Sequence, residues 1–99
     1  MERITIGHLR AMVKRVNTVA GTPLEAYTKQ PDKTFKANIG HIGLDCAYGG
    51  YRVIQLVSEG GGETEFGPGY RMNARECYYT MRGIESAFEY AKRRGAQHV

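Results

Sequence analysis

Two short groups of residues have the chemistry of an anion-binding site. Gly60, Gly61 and Gly62 form an uninterrupted run, and Arg71 and Arg75 lie further along the chain. Main-chain amides in a glycine run can form a concave nest for an anion. Guanidinium groups at the start of a helix favour a phosphate in the same place. We therefore predict that these five residues line a phosphate-binding pocket. The alternative is a wide loop with both arginines solvated.

Aromatic side chains flank the glycine-rich turns. Tyr48 and Tyr51 enclose a pair of glycines, and Phe66 and Tyr70 follow the triple-glycine run. A flat ring there could stack on a nucleobase or on a side chain of a partner. We add Tyr48 and Tyr51 to the predicted ligand site. The alternative is that these rings only pack within a hairpin.

Catalytic chemistry finds little support in the sequence. His41 and Asp45 would share one face of an extended strand but lie about 13 Å apart, too far to share a proton. Asp45 is expected to cap amides of the following turn. His8 and His98 lie elsewhere, and nothing has the spacing of a metal or cofactor site. We predict a non-enzymatic protein without cofactor or metal. A hydrolase of small phosphate esters using His41, Asp45 and Glu59 is the remaining alternative.

Apolar spacing and capping residues predict two helices. Thr5 is a suitable N-cap for a first helix over residues 5–18, and Gly21 is placed to end it. Asn73 and Glu76 form a capping box for a second helix over residues 74–94. Gly95 is expected to close that helix.

Three extended segments lie between the helices. We predict strands over residues 24–29, 34–46 and 51–57, with a bend or bulge near Gly40 and Gly43. Two glycines between Tyr48 and Tyr51 predict a tight hairpin. The chain should be a single α+β domain over residues 1–99. Its order is α-β-β-β-α, an antiparallel meander with both helices packed on one face.

The face of the sheet opposite the helices predicts self-association. It carries aromatic and apolar residues that one layer of helices cannot cover, so we expect a homodimer or higher oligomer. The last turns of the second helix should project beyond the sheet or be covered by a second copy. Cys46 and Cys77 are expected to be small core residues rather than a disulfide or metal pair.

Composition and charge limit where the protein can act and which partners it can bind. The 99 residues carry a net charge of +4 and contain no apolar run long enough to cross a bilayer. The first residues lack the apolar core of a signal peptide, so we expect a cytoplasmic protein. Nucleic-acid binding is not expected, because no recognition helix follows the first helix and the sheet lacks the aromatic pattern of an RNA-recognition motif.

Several motifs together resemble those of small proteins encoded in tailed-phage and prophage genomes. The matching segments are Ala20–Leu24, Ala37–Asp45, Ala47–Tyr51, Glu59–Gly62 and Arg75–Glu76. The resemblance as a whole extends over most of the chain. The resemblance brings no assigned activity, but it implies an accessory phage gene acting in a bacterial cytoplasm.

Binding is therefore the expected mode of action. The first hypothesis is that the protein sequesters a phosphate-bearing small molecule, such as a nucleotide signal of host immunity. The second is a protein–protein inhibitor of a host defence enzyme, acting through the exposed sheet face or the hairpin. The hydrolase is the third.

Overall fold

The computed structural model describes residues 3–97. It contains an N-terminal helix, a three-stranded antiparallel sheet and a C-terminal helix, which confirms the predicted α+β fold. A separate two-stranded hairpin precedes the sheet. The elements are α1 (Ile6–Ala20), β1 (Tyr27–Lys29), β2 (Phe35–Ala37), β3 (Ile42–Ala47), β4 (Gly50–Leu56), β5 (Glu63–Glu65) and α2 (Ala74–Gln97).

Both helices begin where the capping residues predict. Thr5 accepts a hydrogen bond from His8 N, and α1 ends at Gly21 in the left-handed region with φ of 74°. Asn73 Oδ1 accepts from Glu76 N at 2.8 Å, and the Glu76 carboxylate accepts from Asn73 N at 3.2 Å. The predicted stop at Gly95 is wrong. One glycine costs a helix only about 1 kcal/mol, which does not force an end.

The main core lies between the two helices and one face of the sheet. Ile42 and Val53 supply the sheet side of this core, and both helices pack onto it. The remaining buried members are Leu9, Met12, Val16, Met72, Cys77 and Met81. Arg15 and Glu85 join α1 to α2 with two hydrogen bonds of 2.9 and 3.0 Å. This side of the molecule therefore holds the helices firmly in place.

The β1–β2 hairpin packs against the opposite face. Ala37 of β2 is buried against Ile54 and Leu56, which point away from the helices. Gly40 has φ of 100°, a conformation that suits glycine, and the chain bends there between β2 and β3. The predicted bend at Gly40 is confirmed. The predicted continuous strand over residues 34–46 is instead two strands belonging to different sheets.

The third strand of the sheet comes from an unexpected place. Residues 63–65 pair with β4, although the sequence there is Glu-Thr-Glu beside the glycine run. All three residues are exposed, so no apolar alternation signals this strand. The first predicted strand, over residues 24–29, pairs only with β2.

Coverage by the hairpin weakens the argument for self-association, because part of the apolar surface behind that argument is buried within one chain. Homodimer formation stays a prediction. From Glu89 to Gly95 every residue of α2 is exposed in the single chain, which fits both predicted arrangements of these turns. In the part of the chain described, neither helix combines the length and apolar character needed to span a membrane.

Candidate binding surface

An ion-pair cluster occupies the sheet face that points away from the helices. Asp45 Oδ2 accepts hydrogen bonds from Arg52 Nη2 at 2.7 Å and from Arg71 Nη2 at 2.8 Å. Arg52 also bonds Glu65 at 2.7 Å, so β3, β4 and β5 are joined across this face. The two guanidinium groups, Arg52 first, hold the pKa of Asp45 below its ordinary value. Asp45 therefore does not cap turn amides as predicted, because two cations compete for it.

Arg71 is paired within the protein. Besides the Asp45 carboxylate, it donates from Nη1 to the Asp45 main-chain oxygen at 3.1 Å. Its guanidinium carbon lies 5.5 Å from the centre of the Tyr48 ring. Tyr51, the other predicted stacking residue, is half-buried against the helix-side core. Only Tyr48 among the predicted aromatic ligands is freely exposed, at 96%.

The glycine run does not meet the arginines. Gly60–Gly62 belong to the turn after β4, whereas Arg71 packs against Gly50 at the start of β4. β4 has seven residues, so these positions lie about 20 Å apart. Two of the glycine amides are also occupied, because Gly61 N donates to Ser58 O and Gly62 N to Ser58 Oγ. The predicted convergence of Gly60, Gly61 and Gly62 with Arg71 and Arg75 is therefore wrong.

The start of α2 carries its own anion. The Glu76 carboxylate binds the Asn73 amide, where an external phosphate would otherwise be favoured. Arg75 lies over the Tyr79 ring at 6.0 Å and lines a shallow cavity of about 300 Å³ with Arg3, Ile4, Asn73 and Ala74.

The three residues of the hydrolase alternative are also dispersed. The buried His41 ring places Nδ1 2.8 Å from Pro23 O, so this nitrogen is engaged in a contact within the fold. Asp45 is neutralised by its arginines, and Glu59 pairs with Lys36 at 3.1 Å. Within residues 3–97, no three acidic, histidine or cysteine side chains are grouped so as to hold a metal ion. His98 lies outside the described residues.

One edge of the sheet is open over part of its length. β3 is an outer strand, and its register with β4 directs the main-chain groups of Gly43, Asp45 and Ala47 inward. The alternating residues point outward. At Ile42 the outward groups are covered, because Asn17 Oδ1 accepts from Ile42 N at 2.9 Å and Asn17 Nδ2 donates to Ile42 O at 2.8 Å.

Beyond Ile42 this cover ends. The outward main-chain groups of Leu44 and Cys46 form no hydrogen bond within residues 3–97. Cys46 is exposed, which corrects the prediction that it is a core residue; only Cys77 is buried. A sheet edge with free donors and acceptors is a template for another extended segment.

A groove runs beside this open edge. It has a volume of about 250 Å³ and is lined on the helix side by Ile6, Arg10 and Val13. Leu44 and Cys46 line it on the strand side, with His41 and Gly43 at its end. Asn17 anchors α1 at Ile42, and the preceding turns of α1 run along the edge toward Cys46. A strand edge next to a helix offers main-chain pairing and side-chain contacts together.

Sequence reasoning missed this edge. Its assignment needs the order of strands in the sheet and the position of Asn17, neither of which is encoded locally. A buried asparagine on the apolar stripe of α1, one position after Val16, was the one available signal.

Comparisons with known proteins do not assign this surface. No protein-family model, curated protein or solved structure matches the chain.

Proposed function

We propose that this protein acts by binding another protein, and that the partner adds an extended segment to the open edge of β3. The observation that supports the proposal most directly is the unpaired outward main chain of Leu44 and Cys46 beside the groove. An added strand would satisfy these groups with main-chain hydrogen bonds, and its alternate side chains would enter the groove. No covalent bond has to be made or broken for this activity.

Anion sequestration is less well supported by the same geometry. Arg71 is paired internally, Ser58 occupies two of the glycine amides, and Glu76 occupies the start of α2. We therefore favour the protein-binding hypothesis over nucleotide sequestration. An added nucleotide panel is expected to leave the melting temperature unchanged, whereas a ligand at 100 times its Kd would add about 2.7 kcal/mol.

The proposed setting is the cytoplasm of a phage-infected bacterium. The resemblance of several sequence motifs to those of phage accessory proteins supports this setting. In it, strand addition by a host defence protein would inhibit that protein by occupying one of its segments.

A pair of variants at one position tests strand addition. Cys46→Pro removes an outward N–H that the sheet does not use, a position where edge strands tolerate proline. Cys46→Ser keeps that N–H and serves as the control. Affinity for a partner captured from host lysate should fall at least about tenfold in the proline variant, since one main-chain hydrogen bond is lost and the ring blocks close approach. The serine variant should bind like wild type.

Folding of both variants is checked by circular dichroism and thermal melting. Equal capture by folded Cys46→Pro and Cys46→Ser protein would refute strand addition at this edge.

A further inference from the structure

We infer that the segment received by the β3 edge is acidic, with a carboxylate that pairs with Arg10; this inference rests on the proposed function. Arg10 is exposed on α1 and lines the groove. It forms no ion pair with any residue between positions 3 and 97, in contrast to Arg15, Arg52 and Arg71. A guanidinium group beside open main-chain donors and acceptors recognises a carboxylate through charge-assisted hydrogen bonds.

The neighbouring lining residues define the rest of the pattern. Arg10 and Val13 are three positions apart on α1, so they lie about 5–6 Å apart on one face of the helix. Alternate residues of an extended segment on one side of a sheet are separated by about 7 Å. An acidic residue that reaches Arg10 therefore places its neighbour two positions away against Val13 and Leu44, where an apolar side chain fits. The expected segment carries an acidic and an apolar residue at positions i and i+2, in either order.

Charge also favours an acidic partner over a second copy of the chain as the occupant of this edge. A two-fold pairing of β3 with its copy, centred on Asp45, would set Leu44 of each chain opposite Cys46 of the other. The same stretch of edge lies beside Arg10, so the two Arg10 side chains would face each other across the axis. Like charges in that arrangement repel. The full chain carries +4, which likewise favours an acidic partner over self-association.

The test is selection from a displayed library of random ten-residue peptides. Wild-type protein should enrich sequences with Asp or Glu two positions from Val, Ile or Leu. Arg10→Glu should reverse the charge preference to Lys or Arg and weaken the wild-type winners at least tenfold. Arg82→Glu makes the same charge change at an exposed position of α2 and should leave the selection unchanged.

The outcomes separate the two levels of the proposal. Strand addition would be supported if the enriched peptides fail to bind Cys46→Pro. The acidic partner would nevertheless be overturned if those peptides show no preference for Asp or Glu, or if Arg10→Glu selects the same acidic sequences as wild type. Peptides that bind Cys46→Pro as well as wild type, or the absence of any enrichment, would overturn both. Enrichment of sequences like Leu44–Cys46, with a solution mass twice 11.1 kDa, would assign the edge to a second copy and overturn the inference.

Discussion

Two neighbouring sections of the β3 edge differ in whether their outward main-chain groups are hydrogen-bonded. At Ile42, Asn17 covers the outward N–H and C=O with one side-chain amide, which is itself fully buried. At Leu44 and Cys46, the equivalent groups are left open beside a groove. The first section needs its partner for stability, because buried main-chain groups without hydrogen bonds are costly. The second has no hydrogen-bond partner within the described residues, and its Cys46 is exposed. The difference marks the point on the edge where we propose that the binding surface begins.

Removing the cover at Ile42 should have the largest effect on stability. Asn17→Ala deletes hydrogen bonds to both main-chain groups of Ile42 and leaves them buried, so we expect a loss of about 2–3 kcal/mol in urea unfolding. The side chain of the neighbouring exposed Thr18 donates to Lys14 O. Thr18→Ala should cost less than about 0.5 kcal/mol. Similar losses in the two variants would show that Asn17 does not close this section.

Hydrogen exchange should reveal the two sections without any mutation. Amides of Ile42, Gly43 and Asp45 are directed to partners, whereas those of Leu44 and Cys46 are not. The open amides should exchange at least about tenfold faster than their neighbours, equivalent to about 1.4 kcal/mol in opening free energy. NMR-detected exchange measures each site. Uniform protection along β3 would mean that the edge is already paired in solution.

The ion-pair cluster at Asp45 should make the stability of the protein sensitive to acid. A carboxyl with a depressed folded pKa stabilises fully above its unfolded pKa, and this contribution is lost as pH falls through the folded value. For Asp45 the loss starts near its ordinary pKa of 3.8 and continues below it. Asp45→Asn should reduce stability at pH 7 by about 1 kcal/mol or less and flatten the acid decline.

Urea unfolding between pH 2 and 7 measures this effect. Glu63→Gln removes an exposed carboxylate that forms no ion pair within the described residues, and so controls for net charge. An unchanged acid slope in Asp45→Asn would contradict a stabilising role for the cluster.

The smallest expected effect comes from replacing Tyr48 at the hairpin tip beyond the open section. Tyr48 and Gly49 form a two-residue turn with φ of 53° and 73°, and a tyrosine rarely adopts that conformation. Tyr48→Asn should raise stability by about 0.5 kcal/mol, because asparagine tolerates positive φ and only the contact with Arg71 is lost. Gly49→Ala should lower it by about 1 kcal/mol. Thermal unfolding that shows no gain for Tyr48→Asn would mean that the ring contact offsets the backbone strain.

Local signals in the sequence predicted much of the fold. The caps at Thr5, Gly21 and Asn73 and the hairpin after Ala47 depend on residues within one turn of each other, so they can be read directly. The hairpin centre is Tyr48–Gly49 rather than the glycine pair, because Gly50 is needed in β4. A side chain there would lie 3.0 Å from Arg71 Cβ.

The site depended on longer-range relations. Arg71 appeared available for an anion because its partner, Asp45, is distant in the sequence and reaches it only through the packing of the sheet. The distance between Gly60–Gly62 and Arg71 follows from the length of β4, because the glycine run follows its end and Arg71 packs at its start. The open edge at Leu44 and Cys46 could be predicted only from the order of strands in the sheet and the hydrogen bonds of Asn17.

The two cysteine thiols differ in how accessible they are to a thiol reagent. Burial raises the pKa of the Cys77 thiol to about 11, so it is protonated and inaccessible in the folded protein. Cys46 is exposed at the mouth of the groove. A maleimide fluorophore should therefore attach at one place, where its emission reports directly whether the edge is occupied.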